Sequence, residues 1–250
     1  FFTNVSCGYA ASVLARSAGV PNKNVRYYDK YSNIVVKDYP IGFWKLGFVI
    51  DSNGDLVEEI VDGQSYDGYY YKDLWNAILD LHEGQINGAN IAPHAESLIP
   101  GEPLEYSASF PGTSNQRVLI DDAALFDLSS AWSVECIVSP DVIEDAFIVG
   151  KTTNTTVPNN NNFQISMLST GEFIASTTNS ADTNGVALAT SAAVAEVGEI
   201  YHLVATFDGA AQEISISVNG VTTTSATGFA TCQTNSNGIG IGNVPYVLGS

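Results

Sequence analysis

The 250-residue chain has few basic residues and no long apolar run. It has 9 Lys and Arg against 27 Asp and Glu, a formal net charge of −18, and no Lys or Arg follows Lys151. Nucleic acids and anionic membranes need a basic partner surface, so both are disfavoured as ligands. No apolar run reaches the roughly 18 residues of a membrane-spanning helix. Cationic partners, divalent metals and neutral hydroxyl-rich ligands remain open.

Cysteine is rare as well. Cys7, Cys136 and Cys232 are far apart and odd in number, without the close pairs of a zinc site or a dithiol motif. Cys136 and Cys232 have apolar or small neighbours in the sequence. This favours buried thiols over a disulfide.

Threonine and short alternating runs dominate the second half of the chain. Of the 18 threonines, 16 follow residue 150, as expected for neutral polar groups on the outer faces of β-strands. The segment 212–218 would place Ile and Val inward and Ser outward, and Asn219-Gly220 then predicts a type I′ hairpin. The spacing predicts strands of an antiparallel sandwich at 105–110, 116–121, 131–138, 145–150, 163–168, 172–178, 200–207, 212–218, 221–225 and 239–242.

The first hundred residues are more mixed. A small-residue stretch from Gly8 to Ala18, ended by Gly19-Val20-Pro21, predicts a short helix within an N-terminal extension of residues 1–30. Alternation over residues 44–50 predicts a strand. The four-residue spacing of apolar residues in 73–82 predicts a short helix that covers a sheet. The tract 158–162 lacks apolar residues and is expected to be a mobile loop.

Eight segments in order resemble the laminin-G-like branch of the concanavalin A-like lectin/glucanase superfamily, over about residues 31–243. They are Asp38-Tyr39-Pro40-Ile41-Gly42-Phe43-Trp44-Lys45-Leu46, Asp51-Ser52-Asn53-Gly54, Ser109 to Leu128, Trp132 to Val138, Ile148 to Lys151, Gly198 to Gly209, Val218-Asn219-Gly220, and Ile239 to Asn243. The resemblance implies an all-β fold, an antiparallel jelly-roll β-sandwich over residues 31–250. The helical extension 1–30, an assembly or docking segment, would precede it.

Two departures from the family pattern matter. The family often has Trp where this chain has Ile137 and Ile200. It also usually has a closing strand after the segment that Ile239 begins, and the chain up to Ser250 lacks that strand. An unpaired sheet edge promotes association, so residues 1–30, a neighbouring subunit or a further C-terminal segment should cover it.

The sequence argues against an enzyme. Glucanases of the superfamily resemble one another in an E-x-D-x-(x)-E strand that places two carboxylates on one sheet face, and no E-x-D occurs in this chain. A G-x-S-x-G nucleophile motif is also absent. His202 is expected to be a sheet histidine hydrogen-bonded to a neighbour.

Two weaker binding sites can be read from the sequence. Asp51, Asn53 and Asp55 have the first ligand spacings of a Ca²⁺ loop, but Leu56 stands where that loop needs Gly, so a plain β-turn is the favoured alternative. The densest aromatic and polar stretch offers the groups that a glycan site needs, but core or flap packing of half of its tyrosines is the favoured alternative. Its residues are Tyr66, Asp67, Tyr69, Tyr70 and Trp75.

The resemblance implies a non-enzymatic structural and adhesion protein. Similar domains occur in tailed-virus fibres, tails and head decorations and in secreted bacterial surface proteins, so a virion surface is favoured over a secreted bacterial setting. The expected partners are further copies of the chain, other particle or surface proteins, and a cell-surface glycan. A secreted Ca²⁺-dependent glycan-binding lectin is the alternative, and a diverged glycanase is a third reading.

Overall fold

Strands account for almost all regular structure in the part of the chain that the computed structural model describes. This part comprises residues 5–14, 42–43, 45–49, 68–69, 84–87, 92–95, 98, 107–110, 116–152, 161–181 and 185–243. The first eight strands are β1 (Val5–Leu14), β2 (Gly42–Phe43), β3 (Lys45–Val49), β4 (Gly68–Tyr69), β5 (Gly84–Asn87), β6 (Ala92–Ala95), β7 (Ser107–Phe110) and β8 (Arg117–Ile120). A 3-10 helix (Ala124–Phe126) precedes β9 (Ala131–Pro140), β10 (Ala146–Lys151), β11 (Phe163–Met167), β12 (Glu172–Thr178), β13 (Val186–Val194), β14 (Tyr201–Asp208), β15 (Glu213–Val218), β16 (Val221–Ala226) and β17 (Ile239–Ile241).

Two antiparallel sheets form a jelly-roll β-sandwich, as the sequence predicts. The eight-stranded sheet has the order β16-β15-β14-β9-β1-β7-β6, with β2 paired to β1. The seven-stranded sheet has the order β13-β12-β11-β10-β17-β8-β5, and β3 and β4 form a separate pair. The strand predicted over residues 44–50 is confirmed as β3 (Lys45–Val49).

The core lies between the two sheets, and strands such as β14 and β15 contribute alternate residues to it. In β14, the side chains of Leu203, Ala205 and Phe207 are buried, and the residues between them are partly exposed. Trp132 of β9 meets Phe163 of β11 at a ring-centroid distance of 5.9 Å, which joins the eight-stranded sheet to the seven-stranded one. Such tilted aromatic pairs contribute beyond the apolar area that they bury.

The Asn219-Gly220 hairpin is confirmed. Asn219 has φ 50° and Gly220 has φ 84°, and β15 and β16 pair without a register shift from Val218 opposite Val221 onward. Both central residues of a type I′ turn need positive φ, which matches the twist of the flanking strands.

Replacing Gly220 by Ala is expected to lower the free energy of unfolding by about 1 kcal/mol, because an L-residue is strained at positive φ. An added Cβ would meet nothing within 4 Å, so the cost comes from the backbone alone. Urea unfolding checks this, with the exposed Thr222→Ala in the next strand as control, expected within about 0.5 kcal/mol. Equal stabilities of G220A and wild type would contradict the prediction.

The helix predicted from Gly8 to Ala18 is wrong for residues 8–14. These residues belong to β1, which pairs with β9 on one side and with β7 on the other. Gly8, Ser12 and Val13 lower the helix propensity of this stretch, and the flanking strands offer β1 a hydrogen-bond ladder on both sides. Residues 5–14 of the N-terminal extension thus lie inside the eight-stranded sheet; residues 15–18 lie outside the described residues.

Other predictions differ in their outcome. The sequence does not predict strand β13, because its alternating Ala, Thr and Ser give little contrast between the two faces.

The covering helix predicted over residues 73–82 lies outside the described residues. No helix in the described ranges is long and apolar enough to cross a bilayer.

Candidate ligand-binding face

Most of the sequence-predicted site residues fall outside the part of the chain that the structure describes. Tyr69 is placed in β4, opposite Lys45 of β3. The remaining glycan-site residues and all three calcium ligands lie outside the described residues, namely Tyr66, Asp67, Tyr70, Trp75, Asp51, Asn53 and Asp55. Within the described ranges, no three His, Cys, Asp or Glu side chains group together as a metal site would require. Both sites stay predictions.

A row of hydroxyl groups crosses the outer face of the eight-stranded sheet. Ser133 of β9 lies opposite Thr206 of β14, which lies opposite Ser215 of β15, which lies opposite Thr224 of β16. Residues directly opposite each other point to the same side of a sheet. All four side chains are partly or fully exposed. We call this surface, with its neighbours Glu135, His202 and Ser217, the hydroxyl face.

The strand spacing sets the distances between these hydroxyl groups. Neighbouring strands are about 4.8 Å apart, and the Thr206 and Ser215 hydroxyl oxygens are 2.6 Å apart. Each hydroxyl can donate one hydrogen bond and accept others. The row therefore offers uncharged donors and acceptors on successive strands to a ligand that lies across the strands, with Thr206 and Ser215 hydrogen-bonded to each other.

His202 and Glu135 form the charged part of the hydroxyl face. The His202 Nε2 atom lies 2.7 Å from Glu135 Oε1, and the two residues are diagonal neighbours because Glu135 is opposite Val204. The histidine side chain is 44% exposed and the glutamate side chain 18%. The predicted hydrogen bond of His202 to a neighbour is confirmed. The sequence does not reveal Glu135 as the partner, because the register between β9 and β14 is not visible in it.

The carboxylates of the hydroxyl face do not match a glycosidase. Asp208 is opposite Ala131, four residues along β9 from Glu135, which corresponds to about 13 Å along the strand. The two carboxyl groups of a retaining enzyme are about 5 Å apart and those of an inverting one at most about 9.5 Å.

A closer acidic pair lies at the end of the strands. Asp208 is opposite Glu213, and both residues are exposed, so neither has the apolar surroundings of a general acid. Asp208 Oδ1 also accepts hydrogen bonds from the backbone N–H groups of Ala210 and Ala211, at 2.9 and 3.1 Å. It therefore has a structural task in the turn.

Four polar side chains form a buried, hydrogen-bonded group near the start of β11. The Asn161 amide donates to Ser176 Oγ at 2.9 Å and to Gln164 Oε1 at 3.3 Å, and its Oδ1 accepts from Thr152 at 3.3 Å. All four residues are buried. Hydrogen bonds therefore fix Asn161, which the sequence places in a mobile loop. Residues 158–160 of that predicted loop lie outside the described residues.

The cysteine prediction is confirmed for two of the three residues. Cys136 and Cys232 are buried thiols, whereas for Cys7 the burial stays a prediction. Burial raises the pKa of the Cys232 thiol to about 11. Its Sγ donates to the Leu128 carbonyl at 3.1 Å, so this thiol has a packing role.

The raised pKa of Cys232 predicts a loss of stability at alkaline pH. Above its ordinary pKa of 9.0 the unfolded chain releases the thiol proton, whereas the folded chain retains it up to about pH 11. The free energy of unfolding should therefore fall between these values, by at most about 1.4 kcal/mol per pH unit. The measurement is urea unfolding at pH 8, 9, 10 and 11. The Cys232→Ala variant should lose less stability over this range, and parallel curves for both proteins would contradict the assignment.

Comparison with known proteins identifies a family. Residues 111–247 match a laminin-G family model described as the concanavalin A-like lectin/glucanases superfamily. No curated protein matches the chain. The matched segment covers β8 to β17, including every strand that contributes to the hydroxyl face.

Proposed function

Because this chain belongs to the concanavalin A-like lectin/glucanases superfamily, we propose that it is a non-enzymatic adhesion protein that binds glycans at the hydroxyl face. The row of Ser133, Thr206, Ser215 and Thr224 carries the proposal. Glycans present hydroxyl groups that both donate and accept, and a surface of neutral hydroxyls can pair with them without placing a charge opposite them.

The His202–Glu135 pair gives the proposed site an orientation. A half-exposed imidazole offers a planar surface and a ring nitrogen at one side of the hydroxyl row. Glu135 holds that ring through the 2.7 Å contact. A sugar lying over the row would therefore meet a fixed planar group beside flexible hydroxyls, a combination that sets the ligand's direction.

The distances between carboxylates favour binding over hydrolysis. Along the described strands β9 and β14, the spacing from Glu135 to Asp208 is about 13 Å in the strand direction. This exceeds the separation that either class of glycosidase uses. The role that we infer is therefore attachment.

The setting that we propose is extracellular, on the surface of a virus particle. The abundance of Thr after residue 150 suits a polar outer surface, and the net charge of −18 disfavours binding to nucleic acid. The proposed partners are a cell-surface glycan and other proteins of the particle. Purification of intact particles, followed by immunodetection of this chain, tests the setting; recovery of the chain only as a free secreted protein would reject it.

Glycan-array binding by the isolated protein tests the ligand. The double variant Thr206→Val with Ser215→Ala should weaken binding to the best glycan about thirtyfold, because each of the two lost hydrogen bonds contributes about 1 kcal/mol. Thr190→Val, an exposed change on the edge strand β13, is the matched control and should leave affinity unchanged. Equal binding by all three proteins would reject the hydroxyl face as the site.

Two further measurements separate the alternatives. Binding that disappears in EDTA and returns with Ca²⁺ would support the calcium-dependent lectin instead. Release of reducing ends from a β-glucan by the purified chain would show a glycanase and overturn the non-enzymatic assignment.

A further inference from the structure

Exposed aliphatic side chains are concentrated at one end of the sandwich. The large hydrophobic residues that are exposed in the described part of the chain number six, and five of them belong to the turns at this end or to the strand residues next to them. They are Val142, Val194, Val197, Ile200 and Val221. Single exposed hydrophobic residues are normal, whereas a group with a polar border marks an interaction site. We call this group and its bordering carboxylates the rim patch.

Hydrogen bonds connect the turns of this end into one surface. The Gly198 N–H donates to the Pro140 carbonyl at 2.8 Å, which joins the turn before β14 to the turn after β9. The Ala195 N–H donates to the Gly171 carbonyl at 2.8 Å, and the Ser169 N–H donates to Asp145 Oδ1 at 2.6 Å. The three turns 141–145, 168–171 and 195–200 are therefore held in fixed positions relative to one another.

Carboxylates accompany the aliphatic residues in these turns. The turns 141–145 and 195–200 together contain five acidic residues, and no Lys or Arg occurs in the sequence of 141–145, 168–171, 195–200 or 219–220. The acidic residues are Asp141, Glu144, Asp145, Glu196 and Glu199. Such a surface attracts a positively charged partner and repels a negatively charged one.

We propose that the rim patch is a docking surface for a protein segment with lysine or arginine around an apolar centre. The apolar centre would cover residues such as Val197, which is 60% exposed, and the basic groups would face the carboxylates. A second copy of this chain, docked through the same end, would bring carboxylates against carboxylates, so self-association there is disfavoured. Anionic lipid and nucleic acid are disfavoured for the same reason.

The centre of this surface is distinct from the hydroxyl row, although Ile200 lies only two residues before His202. The rim patch lies on turns at one end of the sandwich, whereas the hydroxyl row crosses the outer surface of the eight-stranded sheet. An adhesion protein needs both a ligand surface and an attachment to its carrier, and the rim patch would supply the attachment. Each of the two proposals can fail without the other.

The test uses short peptides of defined composition. The first peptide alternates Leu and Lys over about eight residues, the second replaces Lys by Glu, and the third replaces Leu by Ser. Binding to the full chain is measured by titration calorimetry, and the contacted backbone amides are mapped by NMR. Binding of the Leu-Lys peptide, with shifts confined to residues 141–145 and 195–200, is the expected result, and the other two peptides should bind at least about tenfold more weakly.

Variants of the chain distinguish peptide binding at the rim patch from nonspecific attraction of a basic peptide to an acidic protein. Val197→Ser with Ile200→Ser, and separately Glu196→Gln with Glu199→Gln, should each weaken binding of the Leu-Lys peptide about tenfold. The matched controls are Leu188→Ser, an exposed hydrophobic residue elsewhere, and Glu213→Gln with Asp121→Asn at the opposite end. The controls should change affinity less than about twofold.

Three results would overturn the proposal. Equal losses in the rim variants and the control variants would show nonspecific attraction. Amide shifts elsewhere on the sandwich would place the surface at another site. A wild-type dimer that dissociates on Val197→Ser substitution, measured by sedimentation, would make a second copy the occupant. If the variant Val197→Ser with Ile200→Ser fails to fold, the variant Glu196→Gln with Glu199→Gln still tests the proposal.

Discussion

Replacing Lys151 by Ala is expected to lower the free energy of unfolding by about 3 kcal/mol. Lys151 ends β10 with a fully buried side chain. Its Nζ donates to Asp122 Oδ1 and, at 2.8 Å, to the Asn237 carbonyl. It also forms an ion pair with Asp127 Oδ1 at 3.2 Å. Removing one partner of a buried ion pair leaves the opposite charges uncompensated, which costs about 3–5 kcal/mol.

The exposure of the two carboxylates sets the expected value at the lower end of that range. The Asp122 and Asp127 side chains are each 34% exposed, so water can hydrate them in part once the ammonium group is lost. Urea unfolding of Lys151→Ala measures the effect. Asp121→Asn, an exposed carboxylate beside the network, is the control, expected within about 0.5 kcal/mol.

A second variant tests the cause of the loss. Lys151→Met keeps most of the side-chain volume, and adding Asp122→Asn and Asp127→Asn removes the uncompensated charges. The triple variant should be more stable than Lys151→Met alone, because replacing a whole ion pair by neutral groups costs less than breaking it. A triple variant no more stable than Lys151→Met would show that ion pairing is not the source of the effect.

Phe163→Ala is expected to lower the free energy of unfolding by about 3–5 kcal/mol. Phe163 of β11 is fully buried, and its ring lies 5.9 Å from that of Trp132. Trp132 in turn lies 6.2 Å from Phe207, so the truncation leaves a cavity between the sheets and removes an aromatic neighbour.

Thermal and urea unfolding check the Phe163 prediction. The control is Leu188→Ala on the edge strand β13, where the side chain is 44% exposed, and it should cost less than about 1 kcal/mol. Phe163→Leu should fall between the two, since it keeps part of the buried volume. A Phe163→Ala variant that loses no more stability than Leu188→Ala would place the core contact between the sheets elsewhere.

The strands that can be predicted are those in which buried and exposed residues differ most in polarity. In β15, Ile214 and Ile216 alternate with Ser215 and Ser217, so both the strand and its inner face are readable. In β13 the two faces consist of similarly small residues, and the sequence pattern does not reveal the strand. The helix predicted from Gly8 is wrong for residues 8–14, because the strands that pair with β1 lie far along the chain, β7 about 100 residues and β9 more than 100 residues after it.

The candidate surfaces depend on contacts that a single sequence does not contain. Alternation places His202 on an outer face, but its partner Glu135 follows only from the register of β9 and β14. Lys151 resembles an ordinary charged strand end, and only the positions of Asp122 and Asn237 explain its burial. The rim patch likewise follows only from the fold, which brings distant turns together.

The position of β1 has a consequence for the order of events during synthesis. Val5 pairs with Phe110 and with Pro140. β1 can therefore pair with both neighbouring strands only after the chain has been synthesised as far as residue 140. Among the described strands, only β2, with its two residues, can pair with it before β7 is made. Closing so long a loop is slow because the entropy is lost before the contacts form. In several nascent chains on one polysome, the place of β1 between β7 and β9 would therefore be unfilled at the same time. The N-terminal segment of one chain could then pair with β7 and β9 of another, and this exchange competes with correct closure at that stage.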